Sequence, residues 1–240
     1  MEKIRKPSIQ LITVCIRVNN LKKIAKSILS ANANNYFEIL WSIRFDLKKD
    51  QVPEKVLNEL RTFPININIE YKSHPINKTT GGNHGKRELI RSAARKTWVY
   101  QLDDDNLLHP KLLPTLYKMM RKHPDSPLFV FWQAPRYQPK TLAEIKLGFC
   151  DTAMHVFRSD LAKGVYFPLN FAADGIFLEG LVRKAGDSAI LIPKNLCYYN
   201  AIGHKKGDIP PITTKIFGRP IEHQGSHLDY KKKSLRKKQS

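Results

Sequence analysis

Short apolar runs alternate with amphipathic segments along the first 110 residues of the chain. The run at 8–16 is nearly continuous and rich in β-branched residues, as in a strand that is buried on both faces. Leu21, Ile24 and Ile28 follow it at helical spacing and predict an amphipathic helix. The same patterns predict further strands at 37–45, 65–71 and 98–102, and helices through Val56 and Leu60 and across 86–95.

The second half of the chain shows the same alternation. Helices are predicted at 112–120 and 174–184, and strands at 128–132, 154–157 and 189–192. Strands that alternate with helices form a mostly parallel sheet with helices on both faces, and such sheets bind ligands where the strands end. The predicted fold class is therefore α/β in one domain, followed from Gly203 onward by a loop and a mobile tail.

The chain carries 41 Lys and Arg residues against 21 Asp and Glu residues, which gives a formal charge of +20. A field of this sign attracts polyanions, which include nucleic acid, anionic membrane surfaces and nucleotide phosphates. Basic residues cluster at 22–26, at 86–96 and again at 231–238. The last cluster is either a solvated terminus or a polyanion-binding tail, and the sequence favours neither.

Cys15, Cys150 and Cys197 lie far apart in apolar surroundings, without C-x-x-C spacing. They predict buried, reduced thiols rather than a disulfide framework or a zinc site. The amino terminus lacks the apolar segment of a signal peptide, and no apolar run approaches the roughly 20 residues that span a bilayer. These features predict a cytoplasmic protein.

Three consecutive carboxylates, Asp103, Asp104 and Asp105, directly follow the predicted strand at 98–102. Carboxylates this close repel one another, and a divalent cation such as Mg²⁺ or Mn²⁺ offsets their charge through hard oxygen ligands. A metal at the carboxyl end of a strand usually holds a phosphate. The alternative is a solvated acidic turn that caps the helix beginning near Pro110.

The chain lacks two common phosphate-binding motifs. It has no G-x-G-x-x-G after its first strand and no G-x-x-x-x-G-K-[ST], which argues against dinucleotide-binding enzymes and P-loop NTPases. The segments 13–20, 81–87, 102–106 and 170–177, together with Asp46, follow one another in this order within residues 8–204. In this order they resemble the glycosyltransferases of GT-A fold, particularly the family-2-like inverting enzymes that use nucleotide sugars. The resemblance implies a GT-A domain at 1–206, with a nucleotide-sugar half at 1–108, an acceptor half at 109–206, and a basic tail at 207–240.

On the donor side, the segment 13–20 looks like the family's opening strand, with Arg17 and Asn19 in place of the customary proline and tyrosine. Asp46 is placed like an aspartate that hydrogen-bonds the uracil ring, although it is equally suited to begin a turn. The segment 81–87 (GGNHGKR) resembles the glycine-led segment in which a basic residue approaches the diphosphate. The resemblance assigns nucleotide-sugar binding to Arg17, Asp46, Gly82, Lys86, Arg87, Asp103 and Asp104.

The segment 102–106 (LDDDN) looks like the D-x-D motif of the family. By resemblance, Asp105 binds the metal, Mn²⁺ or Mg²⁺, directly, and Asp103 contacts the ribose or joins the metal shell. His204 is placed like the carboxyl-terminal histidine that completes the metal shell in some GT-A enzymes. His223 and His227 compete for that role, and a surface histidine is an equal alternative.

The segment 170–177 (NFAADGIF) resembles the acceptor-side motif of the family, and its aspartate, Asp174, is the implied catalytic base. Ala173 replaces the usual glutamate, and Asp174 is also well suited to cap the helix that follows. Trp132 and Phe171 are aromatic residues near the implied acceptor side. They either stack on an acceptor base or belong to the core.

The resemblance implies a metal-dependent, inverting transfer of a sugar from a UDP-sugar to an acceptor hydroxyl. The positive charge narrowly favours a hydroxymethylated base in DNA, of viral or phage type, as the acceptor. A lipid-linked or surface-polysaccharide precursor at an anionic membrane is the alternative acceptor. Two other functions stay open, a non-catalytic nucleic-acid-binding module on the same scaffold and a nucleotidyltransferase. No protein partner is evident.

Overall fold

The computed structural model describes residues 6–46, 49–71, 82–134, 137–146, 148, 150–169, 172–198 and 201–202. Their elements form one mixed sheet with helices on both faces, which confirms the predicted α/β class. The strands, in chain order, are β1 (Ser8–Cys15), β2 (Glu38–Phe45), β3 (Asn66–Tyr71), β4 (Trp98–Gln101), β5 (Leu128–Ala134), β6 (His155–Arg158) and β7 (Ala189–Tyr198).

The order of the strands across the sheet is β3-β2-β1-β4-β6-β5-β7. β6 runs antiparallel to β4 and β5, and the other neighbouring pairs are parallel, so the sheet is mostly parallel as predicted. The carboxyl ends of β1, β2 and β4 therefore meet at one edge of the sheet. The amino end of β6 lies at the same edge because this strand runs in the opposite direction.

The helices begin and end close to the predicted positions. α1 shows why they form, since it buries Leu21, Ile24 and Ile28 and exposes the lysines between them, which is the pattern of a helix packed on a core. The described helices are α1 (Leu21–Ala31), α2 (Glu54–Arg61), α3 (Asn83–Ser92), α4 (Leu112–Lys122), α5 (Ser159–Ala162) and α6 (Ala173–Ala185).

The core has two layers, one on each face of the sheet. Helices α1, α2 and α4 contribute Ile24, Leu57 and Leu116 to the first layer. Helices α3 and α6 contribute Leu89 and Phe177 to the second layer. Because both faces are covered, a central strand has no solvent side, and β4 is buried at each of its residues.

The predicted elements are present, and their bounds differ most at β7. This strand extends to Tyr198, well beyond the predicted end at 192. Its exposed residues at 193–195 interrupt the apolar pattern, while pairing with β5 continues through register shifts around Trp132. The single turn of α5 is too short for a periodic pattern to predict it.

Two expectations from composition can be compared with the described residues. The three cysteines are free thiols, and Cys15 and Cys197 are buried as predicted. Cys150 is partly exposed, so its predicted burial is wrong. Among the residues described, none of the helices has the combination of length and hydrophobicity that crossing a bilayer requires.

Candidate active site

Residues 102–106, called the acidic segment below, lie at the edge where β1, β2 and β4 end. The Leu102 N–H donates to the Ile12 carbonyl at 2.9 Å, and the Thr13 hydroxyl donates to the Leu102 carbonyl at 2.7 Å, so the segment leaves β4 alongside β1. The Asn106 N–H then donates to the Asp103 carbonyl at 3.0 Å. This turn holds the three carboxylates together at the ligand-binding edge of the sheet.

Asp104 connects the acidic segment to the exit of β1. Its carboxylate accepts the backbone N–H groups of Ile16, at 2.7 Å, and Arg17, at 2.8 Å, and forms an ion pair with the Arg17 guanidinium. Asn20 Nδ2 donates to the Asp104 carbonyl oxygen at 2.9 Å. At 3% exposure, Asp104 is held by protein contacts that fix the position of the whole segment. Its contact with the donor stays a prediction.

Lys86 connects the acidic segment to the first turn of α6. Its Nζ donates to both carboxylate oxygens of Asp103, at 2.8 and 3.1 Å, and lies 3.9 Å from Asp174 Oδ1. The Thr152 hydroxyl donates to Asp103 Oδ2 at 3.1 Å. The residues predicted for the donor side and for base catalysis therefore lie together, with a buried ammonium between them.

Burial and charge repulsion control the protonation of this cluster. Burial raises the pKa of Asp174 above its ordinary value, against the opposing effect of the Lys86 ammonium. Burial, followed by repulsion from Asp103, raises the pKa of Asp105 to about 7. Burial alone would lower the pKa of Lys86, but the Asp103 and Asp174 carboxylates hold that pKa above its ordinary value. Lys86 is therefore a permanent cation at neutral pH.

Asp105 and Asn106 also hold the chain at 201–202. The Ile202 N–H donates to the Asp105 carbonyl at 2.8 Å, and the Ala201 N–H donates to Asn106 Oδ1 at 3.2 Å. Both 201 and 202 are buried beside the acidic segment. His204, the predicted metal ligand, is two residues further along and lies outside the described residues, as do Phe171, His223 and His227.

The amino end of α3 packs closely on β1. Gly82, at the N-cap of α3, has a φ of +79°, and a Cβ there would lie 3.0 Å from Val14 Cγ1. A Cβ on Gly85 would lie 2.9 Å from Val14 Cγ2. The left-handed backbone at the first position and the close approach at both positions explain the glycines. This packing places Lys86 at the acidic segment.

Arg87 follows Lys86 on α3 and was predicted to contact the diphosphate. Its Nε is buried and makes no hydrogen bond to another described residue. A buried N–H without a partner is costly. The guanidinium can therefore gain by donating to an anionic ligand, and its contact with the diphosphate stays a prediction.

Two structural alternatives for the aspartates are wrong. The N-cap of α4 is Lys111, so the acidic segment does not cap this helix, and Asp104 is buried instead of solvated. The N-cap of α6 is Ala172, and Asp174 lies in the first turn that follows. Oδ1 of Asp174 is buried and has no hydrogen bond to another described residue, so it can accept one from a bound ligand.

Asp151 and Thr152 also belong to the site, although neither lies in a motif. They precede β6, and Asp151 Oδ1 accepts the Ala153 N–H at 3.0 Å. Burial, followed by repulsion from Asp174 and Asp103, raises the pKa of Asp151 to about 7. The sequence carries no signal for them, since they reach this edge only because the antiparallel β6 brings its amino end there.

Asp46 and Trp132 lie along the same edge of the sheet. The Asp46 N–H donates to the Cys15 carbonyl at 2.9 Å, which places this buried residue beside the exit of β1. Trp132 lies near the carboxyl end of β5, and its Nε1 donates to the Pro139 carbonyl at 2.8 Å. Their contacts with the donor base and the acceptor stay predictions.

The donor set fits a hard divalent cation. The carboxylates of Asp103, Asp104, Asp105, Asp151 and Asp174 outnumber the cations paired with them in the described residues, Lys86 and Arg17. No described group of three or more His, Cys, Asp or Glu residues is arranged to hold a metal by itself. Mg²⁺ in phosphate-binding sites is commonly held by one or two carboxylates plus the substrate phosphates, and Mn²⁺ prefers the same ligands. Asp103 and Asp105 can supply these carboxylates.

Comparison with solved structures identifies the fold. The chain superimposes on residues 1–349 of S. aureus TarS with a TM-score of 0.59 and 16% identity, over 80% of this chain and 60% of that chain. For TarS 1-349 in complex with UDP-GlcNAc, the TM-score is 0.60 and the identity 14%, over 92% and 60% of the two chains. For the mannosyltransferase PcManGT from Pyrobaculum calidifontis, in complex with GDP-Man and Mn²⁺, the TM-score is 0.63 and the identity 16%. The match covers 85% of this chain and 59% of that chain.

These neighbours are glycosyltransferases of GT-A fold, and the chain has this fold, as the sequence resemblance implies. The chain matches 60% of the length of the TarS fragment and 59% of PcManGT. No family model matches the sequence, and no curated protein matches it. At 14–16% identity, the likeness establishes the fold.

Proposed function

We propose that this protein is a metal-dependent, inverting glycosyltransferase that moves a sugar from a UDP-sugar to an acceptor hydroxyl. The proposal depends on one observation above all, the position of Lys86 Nζ between Asp103, at 2.8 Å, and Asp174, at 3.9 Å. This contact joins the D-x-D segment to the start of α6 within a GT-A fold. The structural neighbours support it, because their structures contain UDP, UDP-GlcNAc, or GDP-Man with Mn²⁺.

The donor is held where β1, β2 and β4 end. Asp46 accepts a hydrogen bond from the base, Gly82 lets the diphosphate approach the backbone at the start of α3, and the Arg87 guanidinium donates to that diphosphate. Asp105, with Asp103 and His204, would hold Mn²⁺ or Mg²⁺, which would supply Lewis-acid neutralisation of the charge on the diphosphate. Cationic groups that are fixed in place before reaction lower the barrier because they need no reorganisation.

Asp174 accepts the proton of the acceptor. As the hydroxyl oxygen attacks the anomeric carbon, its proton moves to an Asp174 oxygen and the bond from that carbon to the diphosphate breaks. Attack from the side opposite the leaving group inverts the anomeric configuration. Because its pKa is raised, Asp174 is a stronger base than a solvated carboxylate, which favours the transfer.

Replacing Asp174 by asparagine tests this assignment. Asp174→Asn removes the base and preserves the size of the side chain, so sugar transfer should fall at least about 100-fold while nucleotide binding is retained. Release of the nucleotide from the sugar donor measures transfer, and calorimetric titration with UDP measures nucleotide binding. The matched control is Glu179→Gln, an exposed carboxylate on the same helix, which should change neither. Normal transfer by Asp174→Asn would show that another group takes the proton.

For the acceptor, we propose DNA that carries a hydroxymethylated base. The support is the formal charge of +20 together with exposed basic residues on the described helices, such as Lys22, Lys26 and Arg91. Phosphate contacts from such residues dominate the affinity of proteins for DNA. Trp132 and Phe171 are the proposed stacking partners of an extruded base. A lipid-linked or polysaccharide precursor is the competing acceptor, because the same charge attracts an anionic membrane.

A further inference from the structure

Arg17 occupies the position where the family-2-like enzymes customarily have proline, and its side chain contacts the acidic segment. The guanidinium is ion-paired with Asp104, and the same Nη1 lies 3.5 Å from Asp105 Oδ2. The side chains of these two aspartates are only 4% and 14% exposed. One guanidinium therefore offsets part of the charge of two mostly buried carboxylates.

Asp104 also has contacts that do not involve the guanidinium. Its Oδ2 accepts the backbone N–H groups of Ile16 and Arg17, at 2.7 and 2.8 Å, and these bonds are independent of the Arg17 side chain. The Arg17 side chain is 32% exposed, so a path to solvent is open. The guanidinium can therefore leave the carboxylates while the exit of β1 and the acidic segment stay joined.

Asp105 is the carboxylate to which the proposed function assigns the metal. Mg²⁺ binds its oxygen ligands, such as carboxylate oxygens, at about 2.0–2.1 Å. A guanidinium nitrogen already close to Oδ2 repels such an ion and offsets the charge that would attract it. Two cations that depend on the same carboxylate weaken each other's binding.

We propose that Arg17 competes with the divalent cation for Asp105 in the free protein, and that the donor diphosphate relieves this competition by binding the guanidinium. The inference rests on the proposed function, because it uses the same site. Arginine binds phosphate oxygens through two parallel N–H bonds, so the diphosphate is a suitable second partner for Arg17. By linkage, the donor then strengthens metal binding and the metal strengthens donor binding to the same degree.

Titration of the full-length chain with Mn²⁺, followed by electron paramagnetic resonance in the absence of nucleotide, tests the competition. Arg17→Met removes the charge and keeps much of the side-chain volume. This variant should bind Mn²⁺ about tenfold more tightly than the wild type, which corresponds to about 1.4 kcal/mol of binding free energy. Arg17→Lys keeps the charge and should stay near the wild type. Arg61→Met, an exposed position on α2, controls for the change in net charge.

Added UDP gives a second measurement on the same samples. It should tighten Mn²⁺ binding by a larger factor in the wild type than in Arg17→Met, because the variant lacks the guanidinium that the diphosphate would draw away from Asp105. Arg17→Gln replaces Arg17→Met in both titrations if the methionine variant does not fold. Arg17→Lys should show a factor between those of the wild type and Arg17→Met, because lysine keeps the charge but lacks the two parallel N–H bonds to phosphate.

Two results would overturn the competition. The first is that Arg17→Met binds Mn²⁺ no more tightly than the wild type. The second is that Arg61→Met gains as much Mn²⁺ affinity as Arg17→Met, because the gain would then come from the change in net charge. An assay of sugar transfer tests the proposed function separately. If Arg17→Met binds Mn²⁺ more tightly but no nucleotide sugar is consumed, the competition stands and the glycosyltransferase assignment fails.

Discussion

At the scale of single residues, Lys86 is the buried cation that holds two carboxylates of the site. The residue is 8% exposed, and its ammonium contacts Asp103 directly, with Asp174 further away at 3.9 Å. A buried ion pair adds little net stability, but removal of one partner leaves an uncompensated buried charge. The stability of the unliganded site therefore depends on this lysine.

Replacing Lys86 by methionine should lower the free energy of unfolding by about 3–5 kcal/mol in the presence of EDTA. The physical reason is that Asp103 loses its ammonium partner and Asp174 loses the nearest opposing charge. Urea denaturation of wild type and variant measures the change. Lys118→Met, at an exposed position on α4, should change it by less than about 0.5 kcal/mol. Equal stability of Lys86→Met and wild type would mean that the carboxylates are compensated without Lys86.

The sequence predicts some of these residues and not their contacts. Asp103 and Asp105 are singled out because they directly follow a predicted strand, and Asp174 is singled out because the segment 170–177 resembles a motif of the family. Which carboxylate of the triplet points inward depends on the neighbouring strand, so the burial of Asp104 against β1 cannot be read from spacing. The sequence predicts that Lys86 contacts the diphosphate, because it lies in a basic segment. That pattern does not reveal that the Lys86 side chain turns towards Asp103.

At the scale of elements, the contact of α3 with β1 determines where the cations of the site lie. Gly85 allows this contact, since a Cβ there would lie 2.9 Å from Val14 Cγ2 and 3.2 Å from Arg44 Cδ. Lys86 and Arg87 are the next residues of the same helix. A shift of α3 away from the sheet would therefore move both cations together.

Gly85→Ala should lower the free energy of unfolding by about 1–3 kcal/mol, because the added methyl group overpacks the contact between α3 and β1. It should also weaken UDP binding, because the cations on α3 move. Thermal denaturation and calorimetric titration with UDP measure these two effects. Arg91→Ala, on the exposed side of the same helix, should cause neither. Unchanged stability and affinity in Gly85→Ala would show that this contact has room to spare.

The sequence predicts elements with a repeating pattern better than it predicts their direction. α1 and β1 are found because their apolar residues recur with a clear period or form a continuous run. β6 has four residues and pairs antiparallel with β4 and β5, and no feature of those residues specifies this direction. Asp151 and Thr152 are missed for that reason, since they reach the site only through the reversed strand.

At the scale of the whole molecule, the fold and the charge support different parts of the account. The chain shares the GT-A fold with solved neighbours at 14–16% identity. The acceptor depends on a few side chains and on the net charge of +20. Charge identifies a class of polyanions and does not distinguish nucleic acid from an anionic membrane.

The most direct test of the glycosyltransferase assignment is a transfer assay with Mn²⁺, a panel of UDP-sugars and GDP-mannose. Hydroxymethylated and unmodified duplex DNA serve side by side as acceptors. One UDP-sugar should be consumed, its sugar should appear on the hydroxymethylated DNA alone, and EDTA should stop the reaction. Hydrolysis without transfer to DNA would keep the enzyme class and reject DNA as the acceptor. If no nucleotide sugar is bound or consumed, the glycosyltransferase assignment is wrong.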